Sequence, residues 1–298
     1  MTDRSNAEYL PIHRVEEGDQ YLFRRVEEGL AGDYLDLSDK RVLIIGAGSC
    51  GRAVSILISD LMDVEPYYYD IDPSKDLAIG RRANGVSGFD IYHICVPEDA
   101  VPSVVKKIPE GSYVVIHSTM PPGSTRGLGR DVIYMPLFFR ERHVEDDLRS
   151  PGRIVIGTRD GRCPSGWGYI LAYRWARKSG AEIYCLGYEE AELVKLGTNA
   201  LRAVAIAFYN ELYMIARRFG ADYRKVFEIL SPSDILDRLE GGMWGRKPEL
   251  AGRPFNGKCL PKDLAHLARV SPLRSSILKT ALASNEELED DSRDYRAI

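Results

Sequence analysis

Cysteine is scarce and poorly placed to hold a metal. The five residues, Cys50, Cys95, Cys163, Cys185 and Cys259, are odd in number and scattered, and none of the paired spacings of a metal site occurs. No metal is expected, and reduced thiols in a cytoplasmic protein are the natural inference. Long hydrophobic runs are missing as well. No stretch approaches the roughly 18 apolar residues of a membrane span, and no signal peptide opens the chain. An excess of positive charge is absent too: the net charge of −4 gives no general affinity for nucleic acid. That charge is uneven, because residues 1–40 hold 5 Lys/Arg against 10 Asp/Glu. What remains has the composition of a globular protein, and its 298 residues suffice for one large or two ordinary domains.

One stretch organises the rest. Arg41 to Ile45 is an apolar, β-branched run, and it meets the turn Gly46-Ala47-Gly48-Ser49-Cys50-Gly51. Arg52 to Ile58 follows with helical spacing, so G-x-G-x-x-G lies at a strand–helix junction. Gly46 permits the tight turn, Gly48 lets backbone approach a pyrophosphate at the helix N-terminus, and Gly51 lets helix and strand pack closely. Tyr67 to Asp72 reads as the next strand, which places Asp70 where a carboxylate binds a ribose 2′-hydroxyl. The acid favours NAD over NADP, and Arg81 and Arg82 downstream keep the second cofactor open.

Further strands are read at Asp90–Pro97, Ser112–Thr119, Asp131–Pro136, Arg153–Gly157 and Glu182–Leu186, with helices between several of them. Alternation of this kind predicts a doubly wound, mostly parallel sheet of the Rossmann type, whose ligands bind beyond the strand C-termini. Val96, Pro97, Ser118 and Thr119 fall at such ends and join Gly46, Gly48, Ser49, Cys50, Gly51 and Asp70 as candidate cofactor contacts. From Glu190 to Phe219 there is no proline, apolar residues keep helical spacing, and Gly220 supplies a stop. A helix that long connects two domains or carries a dimer interface. The expected organisation is an N-terminal extension over 1–40 with short amphipathic helices, a dinucleotide-binding domain over 41–188, and a helical domain over 189–298. Within the helical domain a Gly/Pro-rich loop runs from Gly241 to Pro261.

Lys195 and Asn199 share a face of the long helix at i,i+4. Taken alone, Lys195 reads as a surface lysine lying over apolar neighbours. Cys259 precedes a helix that Pro261 can start, where unpaired N–H groups favour a thiolate and Lys258 or Lys262 lies near. The alternative is buried filler, which is the better reading of Cys50, Cys95 and Cys185.

Five short segments in order resemble the UDP-glucose/GDP-mannose 6-dehydrogenases over roughly 41–298. They are the Gly46–Gly51 turn; His117 to Thr125; Pro136 to Glu141 with Pro151 to Gly157; Ala191 to Lys195 with Asn199 and Asn210-Glu211-Leu212; and Cys259-Leu260-Pro261-Lys262-Asp263. The resemblance implies oxidation of a sugar C6 alcohol to a carboxylate with two NAD, on a small-molecule substrate that is a nucleotide sugar or a smaller, differently held alcohol. Separately, the apolar length of 190–219 exceeds what one small helical domain covers, so a homodimer built on this helix is expected. The resemblance also implies that Cys259 traps the aldehyde and that Lys195 stabilises oxyanions. Asn199 would bind the reacting oxygen, Asp263 with Thr119 would position water, and Glu141 would serve acid/base or thioester hydrolysis.

Departures from the family pattern leave alternatives open. The family's Pro-Glu-Phe-Leu reads Pro136-Leu137-Phe138-Phe139, the glycine after Glu141 is Arg142, and the Gly-Gly-Ser before the cysteine is Asn256-Gly257-Lys258. The stretch between Asp72 and Val96 is short, and Ile298 falls near where the family's C-terminal nucleotide-binding domain begins, so a shortened form is expected. A two-electron dehydrogenase of the β-hydroxyacid type needs the Lys/Asn pair but not Cys259. A cofactor-binding sensor or scaffold needs neither.

Overall fold

The computed structural model describes residues 40–230, 253–255, 257, 259–271 and 276–294. The helices expected in 1–39, Lys258, and most of the loop from Gly241 to Pro261 lie outside the described residues. The chain divides into two compact units between Leu193 and Val194.

The first unit is built on an eight-stranded sheet. Its strands are β1 (Val42–Ile45), β2 (Tyr67–Tyr69), β3 (Arg81–Arg82), β4 (Ile91–Ile94), β5 (Tyr113–Ile116), β6 (Ile133–Tyr134), β7 (Arg153–Thr158) and β8 (Glu182–Gly187). They lie in the order β3-β2-β1-β4-β5-β6-β7-β8. The order reverses at β1/β4, which is the switch point where doubly wound sheets bind ligands. All pairings are parallel except β6 with β7, where Tyr134 faces Gly157. The central strands read as unbroken apolar runs because both faces are covered; every residue of β1 and β4 is buried.

Three helices, α1 (Ser49–Met62), α3 (Val144–Arg149) and α4 (Trp167–Ser179), pack against one another, while the short α2 (Val101–Val105) follows β4. Val54, Leu57 and Ile58 of α1 join Leu171 and Trp175 of α4 over Val42, Ile44, Ile91, Val115 and Ile156 in the largest core cluster. The long helix α5 (Tyr188–Arg218) begins in this unit. The Tyr188 hydroxyl donates to Val132 O at 2.7 Å and accepts from Val132 N–H at 3.2 Å. Gly157 permits the approach, since a Cβ there would lie 2.9 Å from the Ala191 Cβ.

Two further features tie this unit together. Trp167 Nε1–H donates to His93 Nε2 at 2.8 Å, which leaves the proton of His93 on Nδ1 to donate to His117 Nε2 at 2.8 Å. His117 Nδ1–H then donates to Met135 O at 2.7 Å, so the chain is complete with both imidazoles neutral. Burial pushes His93 well below its ordinary range and His117 down to about 4. The second feature corrects the expectation of reduced thiols. Cys163 is bonded to Cys185, with Cα atoms 5.1 Å apart, tying the loop before α4 to β8. The pairing arises because the β7–α4–β8 connection returns the chain beside itself, and Gly161 packs on the Gly187 backbone. Cys185 is therefore a cross-link rather than apolar filler.

In the second unit α5 continues from Val194, followed by α6 (Tyr223–Leu230), α7 (Leu260–Val270) and α8 (Ile277–Asp294). α7 packs on α8, and Ala200, Ala203, Phe255, Leu264 and Ala281 form the core. Two buried amides fix the segment entering α7. Asn285 Oδ1 accepts Phe255 N–H at 2.6 Å, and its Nδ2–H donates back to Phe255 O at 3.1 Å. Asn210 Nδ2–H donates to Arg253 O at 2.9 Å.

Candidate active site

In the first unit Gly46 and Gly51 behave as their spacing demands. Gly46 has φ +103°, and a Cβ there would sit 2.5 Å from Cys95 O; a Cβ on Gly51 would run into Gly46 O. Gly48 differs. Its φ is −82°, it caps the N-terminus of α1, and a Cβ there would meet nothing within 4 Å. A side chain at Gly48 would thus fill an open cradle over the helix N-terminus, where backbone N–H groups attract an anion.

Asp70 follows β2 directly. Its Oδ2 accepts Ala47 N–H at 2.7 Å and Oδ1 accepts Asp72 N–H at 2.9 Å, so the carboxylate braces the glycine turn itself. An ionised carboxylate has about four acceptor positions, and the remaining ones stay available to a ribose. Both arginines left open by the sequence are engaged elsewhere. Arg81 pairs with Glu65 at 2.6 Å, and Arg82 donates to the carbonyls of Asp72, Pro73 and Lys75.

Val96 and Pro97 leave β4, and Ser118 and Thr119 leave β5, at the same sheet end as the glycine turn. The Ser118 hydroxyl donates to Val96 O at 2.5 Å, so it joins the two strand ends. Glu141 is exposed, and its Oε1 accepts the Ser49 hydroxyl at 2.8 Å, which places this carboxylate at the glycine turn. Leu137 is 3% exposed within the main core, so no acid stands in that position.

Glu192 carries a structural role that its place in a motif does not disclose. It is fully buried on α5, and its two oxygens accept Gly123 N–H at 2.5 Å and Thr125 N–H at 2.8 Å. Burial raises its pKa against the lowering effect of these bonds. The loop after Thr119 is thereby held to the helix that bears Lys195. The available signal was an acid three residues before Lys195, on the same helix face.

The second unit gathers Asn199, Cys259, Lys262 and Asp263. Cys259 caps α7 and is exposed, with Pro261 in the first turn, as the sequence leads one to expect. Asp263 is fully buried; its Oδ2 accepts Asn199 Nδ2–H at 2.6 Å, and Lys262 Nζ lies 3.2 Å from Oδ1. The Lys262 charge is directed at this carboxylate. Lys195 is 9% exposed and Asn199 6%, which removes the reading of Lys195 as an ordinary surface lysine. A buried carboxylate held by an amide and an ammonium, on the helix that opens at an exposed thiol, is suited to orienting a polar reactant.

These features define an α/β protein of the Rossmann type with a glycine turn at the sheet's switch point, and a helical unit. Comparison adds a family likeness: residues 189–287 match the profile of the UDP-glucose/GDP-mannose dehydrogenase family, central domain. A UDP-glucose 6-dehydrogenase of Rickettsia bellii is 31% identical over 223 residues, covering 71% of this chain and 48% of that protein. One from Campylobacter jejuni is 24% identical over 294 residues, covering 83% and 72%. The chain spans about half the length of the Rickettsia relatives it matches. Among solved structures, a UDP-glucose dehydrogenase from Pyrobaculum islandicum superimposes with a TM-score of 0.67 at 24% identity, over 83% of this chain and 68% of that one. At that identity the likeness speaks for the fold. The resemblance drawn from the five motifs holds, and no helix among the described residues is long and apolar enough to cross a membrane.

Proposed function

We propose that the chain is an NAD-dependent oxidoreductase of the nucleotide-sugar 6-dehydrogenase type, which converts a primary alcohol to a carboxylate. The observation that carries this reading is the buried Asn199–Asp263 pair on α5 and α7, with Lys195 buried one turn before Asn199 and Cys259 capping α7. The open cradle at Gly48 and the acid at Asp70 fit a dinucleotide, with Ser49, Cys50, Val96, Pro97 and Ser118 bordering it. NAD, when bound, would supply the hydride acceptor for both oxidations, alcohol to aldehyde and Cys259 thiohemiacetal to thioester, one NAD for each. In this reading Cys259 adds to the aldehyde carbon and the carbonyl electrons move to oxygen, where Lys195 balances the charge. Asn199 holds that oxygen, and Asp263 orients water for release of the acyl group from sulfur, while Thr119 and Glu141 keep the roles that the resemblance gives them. The engagement of Arg81 and Arg82 favours NAD over NADP.

The division into a dinucleotide-binding domain over 41–188 and a helical domain over 189–298 belongs to this reading. So does a homodimer on α5, where Leu201, Phe208 and Ile215 recur every seven residues and stay exposed. A cytoplasmic location, where NAD and nucleotide sugars are kept, fits the activity, although the Cys163–Cys185 bond weighs the other way. Leu137 favours a second reading, a dinucleotide-binding protein that has lost turnover.

The test is a panel of UDP-glucose, GDP-mannose and UDP-N-acetylmannosamine with NAD, followed by absorbance of NADH and by detection of acid. Acid from at least one sugar is the expected result. NAD binding with no turnover on any sugar would replace this reading with the second.

A further inference from the structure

The glycine turn carries two thiols that the proposed reaction does not use. Cys50 stands in the first turn of α1, and Cys95 is the first residue past β4. β1 and β4 are parallel neighbours with Ile45 opposite Ile94, so the chain leaves both at one end of the sheet. Cys95 N–H donates to Ile45 O at 2.8 Å, and the Cys95 carbonyl is the atom that keeps Gly46 free of a side chain. This close passage brings the returning helix start over the end of β4. Cys95 is buried in the main core cluster, Cys50 packs on that cluster while half-exposed, and the Cys50 thiol lies beside that of Cys95.

We propose that Cys50 and Cys95 are an oxidisable dithiol, a modification site at the nucleotide turn that takes a peroxide and that a bound dinucleotide covers. The covering clause rests on the dinucleotide site proposed above; the oxidation itself does not. The half-exposed Cys50 sulfur attacks one oxygen of hydrogen peroxide, the O–O bond breaks, and Cys50 sulfenic acid and water form. The Cys95 sulfur then attacks the Cys50 sulfur, the S–O bond breaks, and hydroxide leaves with the Cys95 proton as a second water. Two thiols are oxidised to one disulfide as one peroxide is reduced to two waters. The exposures set the order: Cys50 meets the oxidant first, and Cys95, shielded from it, resolves the product. Burial, with the Cys50 thiol beside it, holds Cys95 well above the ordinary thiol range, so Cys95 is not the thiol that meets the oxidant first.

The experiment exposes the full chain to hydrogen peroxide, alkylates the remaining thiols and maps them by peptide mass spectrometry. A peptide pair joining Cys50 to Cys95, two hydrogens lighter than the free peptides and released by dithiothreitol, is the expected result. In Cys95→Ala the joined pair is absent and Cys50 proceeds to the sulfinic acid. NAD at about ten times its Kd slows the cross-link about tenfold, in proportion to the uncovered fraction. Wild-type Cys50 passing to sulfinic acid without the cross-link overturns the dithiol. A cross-link that NAD leaves unchanged, while calorimetry shows NAD bound, overturns the covering. Absence of NAD binding in calorimetry overturns the dinucleotide reading and leaves the dithiol to be judged on the cross-link alone.

Discussion

At Gly48 the space that a Cβ would enter belongs to no protein atom, whereas at Gly46 and Gly51 it is already backbone. The three glycines of one motif therefore fail differently. Gly48→Val should abolish NAD binding in calorimetry and leave the thermal midpoint within a few degrees of wild type. Retained affinity would remove the dinucleotide site from the account. The paired histidines make a separate prediction. Burial depresses both pKa values, so both rings are neutral in the folded state and the unfolded chain takes up more protons below pH ~6.5. The stability they protect is fully present above pH ~6.5 and is lost as pH falls towards 4; for His117 alone the loss is about 2 kcal/mol at pH ~5. Urea midpoints should fall over that window, and the His93→Gln/His117→Gln double variant should flatten the fall. An unchanged slope would contradict the assignment. Legibility at this scale follows the range of the contact. Cys259 and Pro261 were readable because helix-start chemistry is local. Glu192 was not, because its partners lie 69 and 67 residues away and its own neighbours read as an ordinary helix.

Among the elements, the central strands were readable because burial on both faces demands unbroken apolar runs, and α5 was readable because its period is sustained over 31 residues. β3 was not. It is two exposed arginines placed in the sheet by the backbone bonds Arg81 N–H to Pro66 O and Ala83 N–H to Tyr68 O. The Cys163–Cys185 bond was hidden for a related reason, since pairing depends on where a connection returns rather than on spacing. α5 also bears the assembly prediction. Phe208 is 54% exposed between Leu201 and Ile215 on one stripe, and a charge there should oppose burial in a symmetric interface. Wild type should give a dimer mass by light scattering at micromolar concentration, and Phe208→Asp a monomer with the same circular dichroism. A monomeric wild type would refute the dimer.

For the whole molecule, the reaction class rests on what Cys259 does. If it traps an aldehyde, one substrate molecule yields two hydrides, and the thiol matters only after the first has left. If it is an ordinary helix cap, the Lys195–Asn199 pair supports a single hydride transfer. If turnover has been lost, Leu137 in the core marks the loss. Lys195→Ala should then be severe in the first two cases, and Cys259→Ser in the first alone. The measurement that separates them is the amount of NADH formed per molecule of sugar consumed by the wild-type chain, read together with the acid produced. About two NADH and one acid are expected, falling in Cys259→Ser to no acid and no second NADH. A wild-type value of about one, with aldehyde as the product, would contradict this.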